Sequence, residues 1–112
     1  MRYSKLISAL NECAIFCNNC TNGCIESEMM ESMKECIRAT LVCSELCSST
    51  SKILSVSYSD VGDLIKYCQR TCMYCASECG KHEEDYCQAC AQACRKCADA
   101  CKDELVKFES IN

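Results

Sequence analysis

The sequence predicts an all-α fold, an up-down-up-down antiparallel four-helix bundle with a cysteine-lined core, as a single domain over residues 1–112. It contains no Pro and only three Gly, so few positions interrupt a helix. Its 16 Cys recur at steps of three or four residues, with one step of seven, and this spacing keeps them on one helix face. The cysteines form four groups joined by short connections, which favour antiparallel neighbours.

The first two helices are bounded by residues that typically end helices. The first is predicted over residues 3–22, with Ser4 as its N-cap and Gly23 as its C-cap. The second is predicted over residues 26–51, where the cysteine stripe is less complete than in the other helices.

The third and fourth helices follow the same logic. The third is predicted over residues 60–79, because Ser59 and Asp60 can cap its N-terminus and Gly80 its C-terminus. The fourth is predicted over residues 83–108, and its acidic first turn suits the positive end of the helix dipole.

The stripes place cysteine where a conventional bundle places leucine. The pattern C-x3-C-x2-C-x3-C occurs in the first, third and fourth helices, whereas the second helix has Thr40 at one stripe position. All sixteen are candidate metal ligands: Cys13, Cys17, Cys20, Cys24, Cys36, Cys43, Cys47, Cys68, Cys72, Cys75, Cys79, Cys87, Cys90, Cys94, Cys97 and Cys101.

The two ends of the predicted bundle differ. Extending the stripes at one end reaches mainly apolar residues, which predict a closed plug: Leu6, Leu10, Thr50, Leu54, Val61, Leu64, Ile65, Leu105 and Phe108. At the other end, the mouth, the stripes reach Met29, Met33 and His82. These three fit a weaker site for a soft metal ion, at which ions are received and passed inward, although Met side chains also serve as core filler and a lone His as a solvated loop residue.

Sixteen cysteines in one core indicate metal binding. Leu or Ile would bury more apolar surface at each position, so a thiol core forfeits stability that metal binding can restore. Structural zinc and iron–sulfur clusters prefer compact knuckles or wrapping loops, which long helical stripes do not provide. Cu(I) accepts two thiolates, and bridging thiolates then allow roughly one ion per Cys with the charges balanced.

Composition excludes several other classes. The net charge of −4 provides no basic surface for nucleic acid. No stretch is long enough to span a membrane. The apolar run at residues 6–10 is too short for a signal peptide, which predicts a cytoplasmic protein whose thiols stay reduced. No catalytic pairing of charged residues is evident, so we expect storage rather than an enzyme. The alternatives are an iron–sulfur or redox-dithiol protein and a zinc-binding or disulfide-stapled structural protein.

The repeated C-x3-C-x2-C-x3-C motifs, with Cys36, Cys43 and Cys47 on the second helix, resemble the bacterial four-helix-bundle copper storage proteins, in particular their cytosolic branch. The resemblance covers nearly the whole chain. It implies storage of multiple Cu(I) ions, thiolate ligands at the cysteines, a homotetramer of bundles, and uptake at the end with Met or His. Thr40 departs from the pattern, because it stands at a stripe position that could have held a Cys.

Overall fold

Four helices form the whole framework of the computed structural model, which describes the backbone of residues 1–111 and the side chains of residues 1–108. They are α1 (Ser4–Glu26), α2 (Lys34–Ser55), α3 (Gly62–Gly80) and α4 (Asp85–Ile111), with a short 3₁₀ turn at Met30–Met33 before α2. Each of α1 and α3 packs against both α2 and α4. The described chain measures 50 × 22 × 18 Å. The predicted four-helix fold is confirmed.

Contacts between cysteines show that neighbouring helices are antiparallel. The Sγ atoms of Cys20 and Cys36 lie 3.8 Å apart, and those of Cys13 and Cys43 lie 3.9 Å apart. Residue numbers therefore fall along α2 as they rise along α1. The same inverse relation holds for α2 with α3 and for α1 with α4, which gives the predicted up-down-up-down order.

Several predicted helix caps are wrong. α1 continues through Gly23 to Glu26, and it begins at Ser4 itself, after Tyr3 with φ of 65°. α3 begins at Gly62, and Val61 rather than Ser59 or Asp60 precedes it, without a side-chain cap. The third helix ends at Gly80, one residue past the predicted end at residue 79, so Lys81 rather than Gly80 is its C-cap.

The second helix begins later than predicted because a local turn competes with it. Ser27 Oγ accepts a hydrogen bond from the Met29 backbone N–H at 3.0 Å, a serine turn that diverts the chain from helical geometry. The 3₁₀ turn follows, and α2 then runs from Lys34 to Ser55, past the predicted end at residue 51.

Gly23 lies inside α1 because a side chain packs against its bare backbone. A Cβ placed there would lie 2.7 Å from the Tyr86 ring. Although Gly→Ala usually stabilises a helix by about 0.5–1 kcal/mol, we expect Gly23→Ala to lower the free energy of unfolding by about 1–3 kcal/mol through overpacking. Urea unfolding of the reduced, metal-free protein, followed by circular dichroism, measures this change.

Gly62 provides a matched control for that substitution. A Cβ at Gly62 would have no atom within 4 Å, so Gly62→Ala should leave stability unchanged or raise it. Equal or greater stability of Gly23→Ala than wild type would show that Tyr86 moves aside without cost.

The plug closes the end of the bundle where α1 begins. Its fully buried members are Leu6, Leu10, Thr50, Leu54, Val61 and Ile65, while Leu64, Leu105 and Phe108 are half-buried. The rings of Tyr3 and Phe108 lie 6.4 Å apart at this end. The Thr50 hydroxyl is buried without a hydrogen-bond partner in the described residues. Among residues 1–111, no helix has the length and apolar character that crossing a membrane requires.

Candidate metal centre

The cysteines of all four helices form one buried column along the bundle axis. Each is 1% exposed or less, and all sixteen are free thiols. Steps of three and four residues turn each stripe inward because this spacing follows the helical period. The result is a core in which sulfur replaces the branched carbon of a leucine-packed bundle.

Sulfur atoms from different helices meet in groups suited to a metal ion. In each group the Sγ atoms all lie within 4.8 Å of one another. The groups include Cys13, Cys47, Cys72 and Cys97; Cys13, Cys17, Cys43 and Cys94; Cys17, Cys75, Cys90 and Cys94; Cys20, Cys24, Cys36 and Cys87; and Cys20, Cys79 and Cys90. Shared members link successive groups, so the arrangement favours bridging thiolates over isolated sites.

The separations between sulfur atoms suit metal ions held between thiolates. Hydrogen-bonded thiols lie between 3.3 Å, for Cys36 with Cys79, and 4.0 Å, for Cys90 with Cys94. Metal–thiolate bonds are about 2.3 Å long for zinc, so sulfur atoms at these separations can hold one ion between two or three of them with little movement. A fully ionised column without cations would carry many buried negative charges, which is strongly unfavourable.

Burial and mutual contact shift the thiol pKa values in both directions. Burial raises the pKa of Cys24 to about 11, and nearby Cys36 adds to the increase. Burial also raises the pKa of Cys87. Hydrogen bonds with the Cys20 and Cys79 thiols lower the pKa of Cys36, to which His82 contributes less. Ions that bind Cys24 and Cys87 as thiolates at neutral pH therefore displace protons from them.

We expect the metal-free protein to lose stability at alkaline pH. The folded state holds the Cys24 proton up to about pH 11, whereas the unfolded chain releases it near 9. The stabilisation is complete below the unfolded value and is lost as pH rises through the folded value. The urea midpoint of reduced protein should fall between about pH 8 and about pH 10.5. The urea midpoint of Cys24→Ala should fall less over the same pH range. Equal midpoints of the unsubstituted protein at both pH values would contradict the raised pKa of Cys24.

The predicted mouth residues differ in their exposure. Met33 ends the 3₁₀ turn and is 1% exposed, packed in the core, whereas Met29 is 61% exposed. His82 is half-buried in the connection after α3, and its backbone N–H donates to the Cys79 carbonyl at 3.1 Å. This backbone bond places His82 directly after the last cysteine of α3, at the mouth end of the bundle.

A polar seam between α1 and α2 was not predicted from the sequence. Thr40 occupies the stripe position between Cys36 and Cys43, and its Oγ1 lies 2.6 Å from that of Thr21. One turn along, Ser44 Oγ donates to Asn18 Oδ1 at 2.5 Å. The spacing of Thr21 from Cys17 and Cys24 was the available signal, since it places a hydroxyl beside the α1 stripe.

Three comparisons with known proteins agree with this geometry. A family model described as "Copper storage protein" matches residues 1–106. An uncharacterized cysteine-rich protein of Bacillus subtilis strain 168, YhjQ, is 34% identical over 102 residues, covering 90% of this chain and 94% of that protein.

Two solved structures share the fold closely. Cu(I)-bound copper storage protein BsCsp3, of Bacillus subtilis, superposes with a TM-score of 0.86 at 34% identity, covering 91% of this chain and 97% of the other. A cytosolic copper storage protein from Streptomyces lividans, described with five coppers, gives a TM-score of 0.90 at 28% identity, covering 93% of this chain and 92% of the other.

Proposed function

The chain belongs to the copper storage protein family, and from this membership and its thiol column we infer that it stores multiple Cu(I) ions inside the bundle. The observation that carries this conclusion is the burial of sixteen free thiols in one continuous core. Soft thiolates bind Cu(I), and the sulfur groups join all four helices around the ions. The family is one of storage proteins rather than enzymes, as the sequence predicted.

Each Cys supplies one thiolate, and bridging gives about one Cu(I) per Cys. The negative charge of each thiolate then meets one positive ion, so the loaded core stays neutral without external counterions. Protons leave the thiols as copper arrives, and the metal is cargo rather than a catalyst.

An anaerobic titration tests this function directly. Reduced protein receives Cu(I) in the presence of a chromophoric chelator that competes for the ion. We expect the protein to withhold copper from the chelator up to roughly sixteen ions per chain, about one per Cys. Saturation at one or two ions would overturn the proposal.

Copper uptake is proposed to occur at the mouth. Thioether and imidazole bind Cu(I) more weakly than bridging thiolates, so Met29 and His82 can receive an ion and release it inward. The exposure of Met29 and the place of His82 directly after α3, with its backbone N–H bonded to the Cys79 carbonyl, support this role. Met33, which is buried, would act at the inner limit of this site or serve only in packing.

We also propose that the protein is cytoplasmic and forms a homotetramer. Each chain is a single metal-binding domain. The cytosolic description of the Streptomyces lividans protein supports the location. Exposed apolar side chains on α2 and α3, among them Val42, Tyr67 and Tyr74, supply a surface for association. Light scattering during size-exclusion chromatography measures the mass, and a monomer would contradict the tetramer.

A further inference from the structure

We propose that Cys79 is the relay through which copper passes from the mouth into the interior of the column, an inference that rests on the proposed function. The mouth section is Cys20, Cys24, Cys36 and Cys87, which form one metal-sized group. The inner section is Cys13, Cys17, Cys43, Cys47, Cys68, Cys72, Cys75, Cys90, Cys94, Cys97 and Cys101. Cys79 lies between the two sections.

Cys79 makes thiol–thiol hydrogen bonds to both sections. On the mouth side its Sγ lies 3.9 Å from that of Cys20 and 3.3 Å from that of Cys36. On the inner side it lies 3.9 Å from Cys75 and 3.7 Å from Cys90. Cys20 and Cys90 also approach each other directly, within 4.8 Å, but Cys79 is the thiol that lies within 3.9 Å of sulfur atoms on both sides.

α2 contributes no sulfur between the mouth and inner sections, because Thr40 occupies that stripe position. Thr40 lies between the mouth thiol Cys36 and the inner thiol Cys43, so α2 offers a hydroxyl there instead of a further linking sulfur. That hydroxyl is a hard ligand, which suits Cu(I) poorly. It is also held 2.6 Å from Thr21 Oγ1 and 3.1 Å from the Ile37 carbonyl oxygen.

The transfer step is a ligand exchange without electron transfer. A Cu(I) ion bound by Cys36 and Cys79 gains a bond to Cys90 and then loses its bond to Cys36. The Cys90 proton is released as its thiolate forms, and the freed Cys36 thiolate takes up a proton. Copper stays Cu(I) throughout and remains bound to Cys79, so it is never released into the apolar core, where a bare ion would be strongly disfavoured.

Time-resolved Cu(I) uptake by Cys79→Ser tests the relay, with reduced protein and the competing chelator used above. We expect rapid uptake of roughly four ions, about one for each thiol of the mouth section. The inner section should then fill at least about tenfold more slowly than in wild type. Cys75→Ser is the matched control, since it removes one inner sulfur from the same helix. It should fill at the wild-type rate with about one ion fewer.

A rescue variant separates the relay from a general loss of structure. Thr40→Cys in the Cys79→Ser background places a sulfur on α2 between the mouth and inner sections, and it should restore rapid filling of the inner section with Cu(I). Thr40→Val in the same background should not. Thr40→Cys alone should fill the inner section faster than wild type, and this variant tests the inference even if Cys79→Ser fails to fold.

Three outcomes would overturn the relay while leaving storage intact. They are filling of Cys79→Ser at the wild-type rate, equal slowing of Cys75→Ser, and an unchanged rate in Thr40→Cys. Failure of wild-type protein to withhold copper at all would instead overturn the proposed function.

Discussion

Loading the reduced protein with Cu(I) raises its midpoint of thermal unfolding by more than about 10 °C. Bound copper stabilises the folded state because the unfolded chain does not hold the thiols in register. A single site with free ion at about 100 times its dissociation constant adds about 2.7 kcal/mol. For a domain of roughly this size, each 1 kcal/mol raises the midpoint by about 4 °C or more, and the column offers several sites.

Circular dichroism during heating measures this rise at successive copper equivalents. The midpoint should increase with each addition until the column is full, because the sulfur groups connect all four helices. A chelator strong enough to remove the copper should return the midpoint to its metal-free value. A midpoint that stops rising after the first few ions would show that the deeper thiols do not hold metal.

Leu10→Ala should lower the free energy of unfolding of the metal-free protein by about 2–5 kcal/mol. Leu10 is 0% exposed in the plug, and its truncation leaves a cavity that rigid helices cannot close. Copper capacity should stay at the wild-type value, because Leu10 contributes no sulfur. Urea unfolding and the copper titration measure the two properties separately.

Ile15→Ala is the matched control on the same helix. Ile15 is 67% exposed, so its truncation should change stability by no more than about 0.5 kcal/mol. If Leu10→Ala and Ile15→Ala were equally stable, the plug would not be the element that holds the metal-free bundle together. A fall in copper capacity in Leu10→Ala would show that plug and column are not independent.

The spacing of the cysteines was sufficient to predict the fold, since one period of three and four residues specifies both the helices and their buried faces. The helix ends were harder to predict. Glycine often ends a helix, and Gly23 was therefore predicted to end α1. The helix continues because the ring of Tyr86, which lies on α4 more than sixty positions along the chain, packs against Gly23. Sequence propensity is local, and a tertiary contact of this kind overrides it.

The sequence was sufficient to predict which residues are the ligands of the candidate site, but not which sulfur atoms of different helices lie next to one another. The stripes identified the sulfur-bearing face of each helix. Which sulfurs approach one another depends on the axial register between helices, as in the 3.3 Å contact of Cys36 with Cys79. Likewise, the missing sulfur at Thr40 was visible in the sequence, but its pairing with Thr21 was not, because that contact joins two helices.

The Thr21–Thr40 pair shows that the number of metal ligands in the bundle can change without impairing folding. Thr40 takes a stripe position in the core, and its hydroxyl forms hydrogen bonds with its neighbours. A threonine in place of a cysteine at this position therefore leaves no buried polar group unpaired. Threonine and cysteine differ little in size, and their exchange changes the ligand total by one with little disturbance of packing. Capacity thus becomes a quantity that point substitutions can adjust in unit steps, in evolution or in design, on an otherwise constant framework.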